Sequence, residues 1–476
     1  METNEQQSDA QQRMGADEKA LKMNLDRSVH GAFAEIGAGQ EVARWFFHVG
    51  HASGTVAKAM SAYDMAVSDA VYGPTTRYVS RPRLDAMLDY EYAQLLERLD
   101  AKRGADTTFF AYANTVATRS SSRQQEGRGW MGIRFQHSPR SLPSDIVIHV
   151  KLFDSENSHE QEAVGLVGVN LIYAASYLRE DPNRVISSLL DSVSRGRIEV
   201  DMIQFRGPAF PGIDNRLMSL ELVRQGLTDA VMFTADGEVV EPADVLYKRR
   251  ILLLRGSFRP ITNTIMDMVT NAKEQFVRDF PGEDKEPVIL FEMSLNNLLG
   301  ERGIDPADFL VRADILQTTG ASVLVTNLAH YHSVAATLCR FTTAYIGVAL
   351  GVPALAEIFK EKYYAELSGG ILESLGQLFR PQVRLFAYPF KNATDGVITT
   401  LEKLRVTENL RLLFDHLVTN RLILPIERWN ADRLEIFPSE VRRMIAEGDT
   451  TWESLVPASV AKTIRRQGYF GYHAET

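Results

Sequence analysis

From residue 197 onward the chain keeps one rhythm, in which short apolar runs of strand length are separated by stretches with helical spacing. The runs lie at 197–205, 230–234, 251–254, 288–293, 322–326, 345–350 and 383–388. A strand of a parallel sheet is covered by helices on both faces, so it reads as an unbroken apolar run. Ile251-Leu252-Leu253-Leu254 and Ser322-Val323-Leu324-Val325 have that form. The alternation predicts an α/β fold with a doubly wound, largely parallel sheet or sheets.

The first half reads differently. Between 21 and 99 apolar residues recur at helical spacing, as in Val42, Trp45, Phe46 and Val49 and again in Leu84, Met87, Leu88 and Leu95. A helical opening segment is expected there. Three β-like runs follow at 107–117, 130–136 and 145–153, joined by short polar connections that predict a mixed or antiparallel strand group. Ser158-His159-Glu160-Gln161 has the Ser-x-x-Gln form of a capping box, which predicts a helix beginning there and covering one face of these strands.

At 476 residues the chain exceeds what one core usually organises. Glu241-Pro242 punctuates the middle. The expected division is a disordered tail over 1–20, an N-terminal α/β domain over 21–245 and a C-terminal domain over 246–476. A content of 45% hydrophobic and 24% charged residues supplies a core for each half. A net charge of -9 and a pI near 5.7 argue against a surface that tracks phosphate backbones, so nucleic acid is not an expected partner. The tail lacks the order of a secretory signal, and the most apolar stretch, 163–178, is broken by Gly165, Gly168, Asn170 and Ser176. No membrane partner is therefore expected. The single cysteine, Cys339, excludes an intrachain disulfide and fits a cytoplasmic location, with a buried inert thiol.

Two segments carry chemistry. Residues 251–263 read as strand, glycine turn and helix start, followed by Met266, Val269 and Phe276 at helical spacing. Gly256 lets the backbone approach a ligand, and amides at the helix start can receive phosphate oxygens at the strand's carboxyl end. Near the other terminus, in residues 436–448, Ser439 is expected to cap a short helix. Arg442, three residues on, can turn its guanidinium toward an anion at that helix start.

The first segment, Gly-Ser-Phe-x-Pro-Ile-Thr-Asn at 256–263, resembles the first motif of nicotinamide or nicotinate mononucleotide adenylyltransferases. Residues 436–442 resemble their second motif, Ile-Ser-Ser-Thr-x-x-Arg, with Ser439 at the threonine position and Arg442 at the arginine. Leu455-Val456-Pro457 through Ile464 looks like their last helix. The whole chain also resembles an uncharacterised bacterial family that carries the adenylyltransferase label. The resemblance implies a Rossmann-like C-terminal half and a small-molecule nucleotide partner, with ATP and Mg²⁺ as cofactors and adenylyl transfer to NMN or nicotinate mononucleotide. It implies that Gly256, Ser257 and Phe258 face the nucleotide, and that Thr262 and Arg442 serve the reaction. One position departs. Where these enzymes place the histidine that steadies the phosphates, this chain has Ile265. Adenylyl transfer needs positioning and charge stabilisation, so losing one donor would cost roughly 10²- to 10³-fold in rate. The alternative is a catalytically silent nucleotide sensor or scaffold, its N-terminal half serving a partner or homo-oligomer contact. The intervening Gly369-Gly370-Ile371-Leu372-Glu373-Ser374 matches nothing in that family.

Other features read more plainly. His48-Val49-Gly50-His51 has a His-x-Gly-His form but follows a helical pattern and lacks a third ligand, so no metal site is expected. Gly37-Ala38-Gly39-Gln40 is expected at a helix start or a close helix contact. A third reading puts Asp201, Arg206, Asp214, Asn215 and Arg216 in a second pocket where strand ends converge, against helix capping and surface ion pairing. Asp236-Gly237 reads as a turn. His330 and His332 follow the run at 322–326 without an identifiable partner.

Overall fold

Two sheets organise the chain, one in each of two units, Met1–Thr228 and Asp229–Thr476. The computed structural model describes residues 14–119, 126–282, 286–301, 303–392 and 395–473.

The first unit runs α1 (Ala16–Leu25), β1 (Val29–Ile36), α2 (Glu41–His48), β2 (Val56–Ala62), α3 (Met65–Tyr72), α4 (Arg81–Arg103), β3 (Thr108–Ala117), β4 (Gly127–Phe135), β5 (Ser144–Leu152), α5 (Asn157–Tyr177), α6 (Pro182–Ser188), β6 (Ile198–Arg206) and α7 (Asn215–Arg224). Its sheet has the order β2-β1-β3-β4-β5-β6. β1 is parallel to both neighbours, and β3 to β6 are antiparallel in succession.

The sequence reading of 21–99 as helical is corrected in part. Four helices lie there, but so do β1 and β2. β1 is buried along most of its length while carrying His30, Gly31 and Glu35. Neither a continuous apolar run nor a clean alternation advertises it. Of the expected tail over 1–20, residues 1–13 lie outside the described residues, and from Ala16 the chain is α1. The buried Lys19 of this helix donates to Asn170 Oδ1 and pairs with Asp191, both at 2.7 Å. α5 starts at Asn157 with Glu156 as its N-cap, so Ser158 is not the capping residue. The apolar run of α5 is a buried helix. Its small residues admit α2, and a Cβ on Gly168 would stand 2.3 Å from Val42 Cγ2.

The second unit runs β7 (Ala230–Phe233), β8 (Val239–Val240), α8 (Pro242–Leu246), β9 (Ile251–Arg255), α9 (Asn263–Asp279), β10 (Val288–Ser294), α10 (Leu295–Leu298), β11 (Leu299–Gly300), β12 (Gly303–Ile304), α11 (Pro306–Gln317), β13 (Ser322–Thr326) and α12 (Tyr331–Phe341). It continues through β14 (Ile346–Gly351), α13 (Val352–Ile358), α14 (Gly370–Leu378), β15 (Val383–Tyr388), β16 (Phe390–Lys391), β17 (Ile398–Thr399), α15 (Arg411–Thr419), β18 (Ile423–Pro425), α16 (Pro438–Glu447) and α17 (Ala458–Gln467).

Its main sheet has the order β18-β15-β14-β9-β10-β13-β7-β8. The six strands from β18 to β13 are parallel. Ranked along the chain they stand 6-5-4-1-2-3, the order of a doubly wound Rossmann-like fold. One face packs Leu253, Leu290, Leu324, Val348 and Leu385 into a core with α12, α14 and α15. The other carries α9, where Phe276 meets Phe386 edge-on at 5.8 Å. The strand order reverses between β9 and β14, and the crevice beyond their carboxyl ends is where such folds take ligands.

Two features differ from the sequence expectation. β6 begins the rhythm of runs yet pairs antiparallel with β5 in the first sheet. β7 and β8 lie before 245 yet pair into the second sheet across the Asp236-Gly237 turn, with β7 antiparallel to β13. Phe233 of β7 packs edge-on to Phe309 at 6.3 Å, so the contact boundary falls at Thr228. Among the described residues no helix is long and apolar enough to cross a membrane.

Candidate functional site

The turn after β9 is built around its glycine. Gly256 N donates to the Glu292 carbonyl at 3.1 Å, and a Cβ on Gly256 would stand 3.1 Å from the Phe258 ring. Phe258 adopts a left-handed φ of 46°. Its ring is buried and meets Phe291 edge-on at 4.9 Å. The expectation that Phe258 faces a nucleotide is therefore corrected: the ring is the floor of the turn, because an apolar ring gains more from burial against Phe291 than from solvent. Ser257 is exposed.

Thr262 is the N-cap of α9 by position, but its side chain makes no capping bond and its buried hydroxyl has no hydrogen-bond partner. Ile265 lies half-buried in the first turn of the same helix.

Arg442 sits on α16 and donates from Nη1 to the Arg259 carbonyl at 2.9 Å. The segments around 256–262 and 439–442 thus converge. Two further side chains stitch them. Asn263 Nδ2 donates to the Ser454 carbonyl at 2.9 Å, and the Thr264 hydroxyl donates to the Arg433 carbonyl at 2.5 Å, with the Ile436 carbonyl as a second acceptor 3.1 Å away. Ser439 does not cap α16. Phe437 holds that position, Pro438 opens the helix and Ser439 is exposed. Proline suits the first helical position because its φ is already helical and its missing N–H would have no partner there, so the helix starts two residues earlier than a Ser439 cap would set it.

The charges gather at this turn. Asp308 Oδ1 pairs with Arg259 Nε at 2.6 Å, and Asp308 Oδ2 pairs with Arg312 Nη2. Arg312 Nη1 also donates to the carbonyls of Asn297 at 2.7 Å and Ser257 at 3.3 Å. Burial, then the neighbouring Arg259 and Arg312, hold the Arg442 guanidinium below its ordinary range. The three guanidiniums share Asp308, with Asp305 also acting on Arg312, so positive charge exceeds negative in this cluster, an arrangement that favours an anion.

A second carboxylate at this edge is committed to structure. Asp267 accepts from Tyr388 at 2.7 Å, from Asn430 N at 3.1 Å and from Arg433 at 3.1 Å. Burial, and then Asp267, push the Tyr388 hydroxyl well above its ordinary range. Glu292 is held in the same way by Arg255, at 2.5 and 3.0 Å, and by Thr326 at 2.5 Å.

Sequence reasoning missed Asp308, Arg312, Asp267, Tyr388 and Arg433. Asp308 and Arg312 stand four apart on a helix announced by Asp305-Pro306, a readable ion-pair spacing. The other three meet only through the fold.

The remaining sequence candidates have structural partners. Asp201 lies inside β6 rather than at a strand end, fully buried, 2.6 Å from His149 Nδ1 and 2.7 Å from Lys151 Nζ. Burial opposes its charge, yet Lys151 and His149 outweigh it and hold the carboxyl well below the usual range. Asp214 caps α7 and pairs with Arg216, and Asn215 exchanges hydrogen bonds with the Phe205 backbone at 2.8 and 3.1 Å. The second-pocket reading is therefore not assembled. His332 Nδ1 lies 3.0 Å from Ser374 Oγ in a buried contact, and its ring stacks on His330 at 5.4 Å. Burial lowers both imidazoles. Cys339 is only half-buried, and burial pushes its thiol up.

A cavity of about 540 Å³ runs beside α9, lined by Met266, Val269, Lys273, Val277, Ile289 and Phe291. It lies against the sheet face toward the amino end of β10, and none of Arg259, Asp308, Arg312 and Arg442 lines it. The carboxyl edge is the better candidate site because it joins charge, glycine turn and strand reversal.

No family model matches the chain, and the search of curated proteins found no match. Among solved structures it is similar to the competence/damage inducible protein CihA from Agrobacterium tumefaciens, with 17% identity over 33% of this chain and 94% of that one, and a TM-score of 0.25. A competence-damaged protein (CinA) superfamily member from Enterobacter cloacae gives 10% identity over 34% and 92%, with a TM-score of 0.26. A competence or damage-inducible protein from Enterobacter asburiae gives 12% over 34% and 98%, with a TM-score of 0.25. Likeness at that level carries nothing about function.

Proposed function

We propose that the second unit is a nucleotide-binding module of the mononucleotide adenylyltransferase type, holding the phosphates of ATP at the 256–262 turn with Arg442 as a grip. The observation that carries this reading is the 2.9 Å hydrogen bond from Arg442 to the Arg259 carbonyl. It draws both motif segments to the carboxyl end of the first strand of a doubly wound sheet, where such folds take ligands. The glycine turn, the start of α9 and the guanidiniums are all suited to phosphate oxygens.

The reaction this site would serve is adenylyl transfer to NMN or nicotinate mononucleotide. Asp308, Asp267 and Glu292 are each committed to an arginine, so the protein offers Mg²⁺ no uncommitted carboxylate among these three. The ion would arrive on the nucleotide's phosphates, as suits a cation that keeps substrate and water ligands. When bound it would neutralise charge on the departing pyrophosphate. Arg442 orients the phosphates, and Ser257, exposed at the turn, borders the nucleotide.

Ile265 and the unpartnered Thr262 hydroxyl favour a second reading, a silent nucleotide sensor. The test is thermal stabilisation by ATP, NMN and nicotinate mononucleotide, each with Mg²⁺, on wild type and Arg442→Ala. A ligand at 100 times its Kd should add about 2.7 kcal/mol. A shift abolished by Arg442→Ala supports the site, and a shift indifferent to it removes Arg442 from the site. Pyrophosphate release then separates enzyme from sensor.

A further inference from the structure

We infer that Arg259 is a second phosphate-binding residue beside Arg442, and that Asp308 holds its guanidinium in reserve until a di- or triphosphate arrives. The inference rests on the nucleotide reading above and adds to it a residue and a ligand class.

Arg259 is the variable position of the first motif. Its side chain is 42% exposed, and its own carbonyl receives Arg442. Two guanidiniums therefore belong to one turn, one from each motif segment. Arg259 Nε is buried and makes no aligned hydrogen bond, although Asp308 Oδ1 lies 2.6 Å away. The contact is an ion pair short of the geometry that makes such pairs strong, so it yields to a better acceptor.

Arg312 makes the exchange affordable. It is buried, tied to the carbonyls of Asn297 and Ser257, and paired with the second oxygen of Asp308. When Arg259 swings to a phosphate, Asp308 keeps Arg312, and no buried charge is left without a partner. A monophosphate can be held by Arg442 alone. Two guanidiniums on one turn suit successive phosphates of a chain.

The test is calorimetric titration of the full chain with inorganic tripolyphosphate, pyrophosphate and orthophosphate. Arg259→Ala is expected to weaken tripolyphosphate by about tenfold or more, and orthophosphate by less than about threefold. Asp308→Asn frees Arg259 and is expected to tighten tripolyphosphate several-fold. Should Asp308→Asn melt early, Arg259→Lys serves instead. It keeps the charge without the planar fork and should recover part of the loss. If Arg442→Ala abolishes tripolyphosphate binding while Arg259→Ala leaves it unchanged, the inference is overturned and the nucleotide reading stands. If Asp308→Asn weakens binding in a folded protein, the reserve role is overturned. If wild type and Asp308→Asn bind none of the three anions, both readings fall.

Discussion

Glu35 shows how a single side chain can set a pH dependence. It is 1% exposed at the carboxyl end of β1 and accepts from Ala43 N at 3.0 Å, Val42 N at 3.2 Å and Asn114 Nδ2 at 3.0 Å. Burial outweighs these donors and pushes its carboxyl from 4.5 up to about 7. The fold thus prefers the protonated form. Its contribution is full below pH 4.5 and is lost as pH rises through about 7. A gap of that size is worth about 3 kcal/mol. The melting temperature of the first unit should fall across this window, and Glu35→Gln should flatten the profile, since Asn114 can turn its unpartnered Oδ1 toward the new amide. A wild-type profile already flat between pH 5 and 7 would contradict this. At the other end of the chain, Ile265→His returns the donor missing from the first turn of α9. Where the site turns over at all, pyrophosphate release should rise by roughly 10²-fold. Where it is a sensor, the rate stays at background.

At the scale of elements, packing of α2 on α5 depends on small residues. Gly168→Ala would set a methyl 2.3 Å from Val42 Cγ2 and 2.8 Å from the Tyr112 hydroxyl. Overpacking of this kind costs about 1–3 kcal/mol, so the urea midpoint should drop with an unchanged m-value. The elements themselves were unequally visible. β9, β10, β13, β14 and β15 were legible because burial on both faces demands continuous apolar runs, and β4 and β5 because Met131, Ile133 and Phe135 and then Ile146, Ile148 and Val150 alternate. β1 was not, since His30 and Glu35 are buried with partners at Gly54, at the start of α2 and at Asn114 of β3, which only the fold brings to them. β18 spans three residues, too few to carry a pattern. Gly256 and Arg442 were legible as motif positions. The placement of Phe258 was not, because its left-handed backbone and its contact with Phe291 arise only once β10 stands beside β9.

At the scale of the whole molecule, the division at Thr228 has a consequence that the expected one at 245/246 lacks. A polypeptide covering 229–476 keeps β7 and β8 on the edge of its sheet. One covering 246–476 leaves β13 as a bare edge and strips Phe233 from Phe309. The longer piece should melt cooperatively, and the shorter should aggregate, since an uncovered hydrophobic edge recruits other strands. Equal behaviour of the two would show that β7 and β8 are dispensable. The joint between the 256–264 and 433–454 segments has a consequence of its own. Arg442, Asn263 and Thr264 all close it on main-chain carbonyls, those of residues 259, 454, 433 and 436. A carbonyl is offered by every amino acid, so the clasp places no demand on the side chains it grips. Substitutions at those four positions should therefore leave the two segments fastened, provided the backbone there keeps its path.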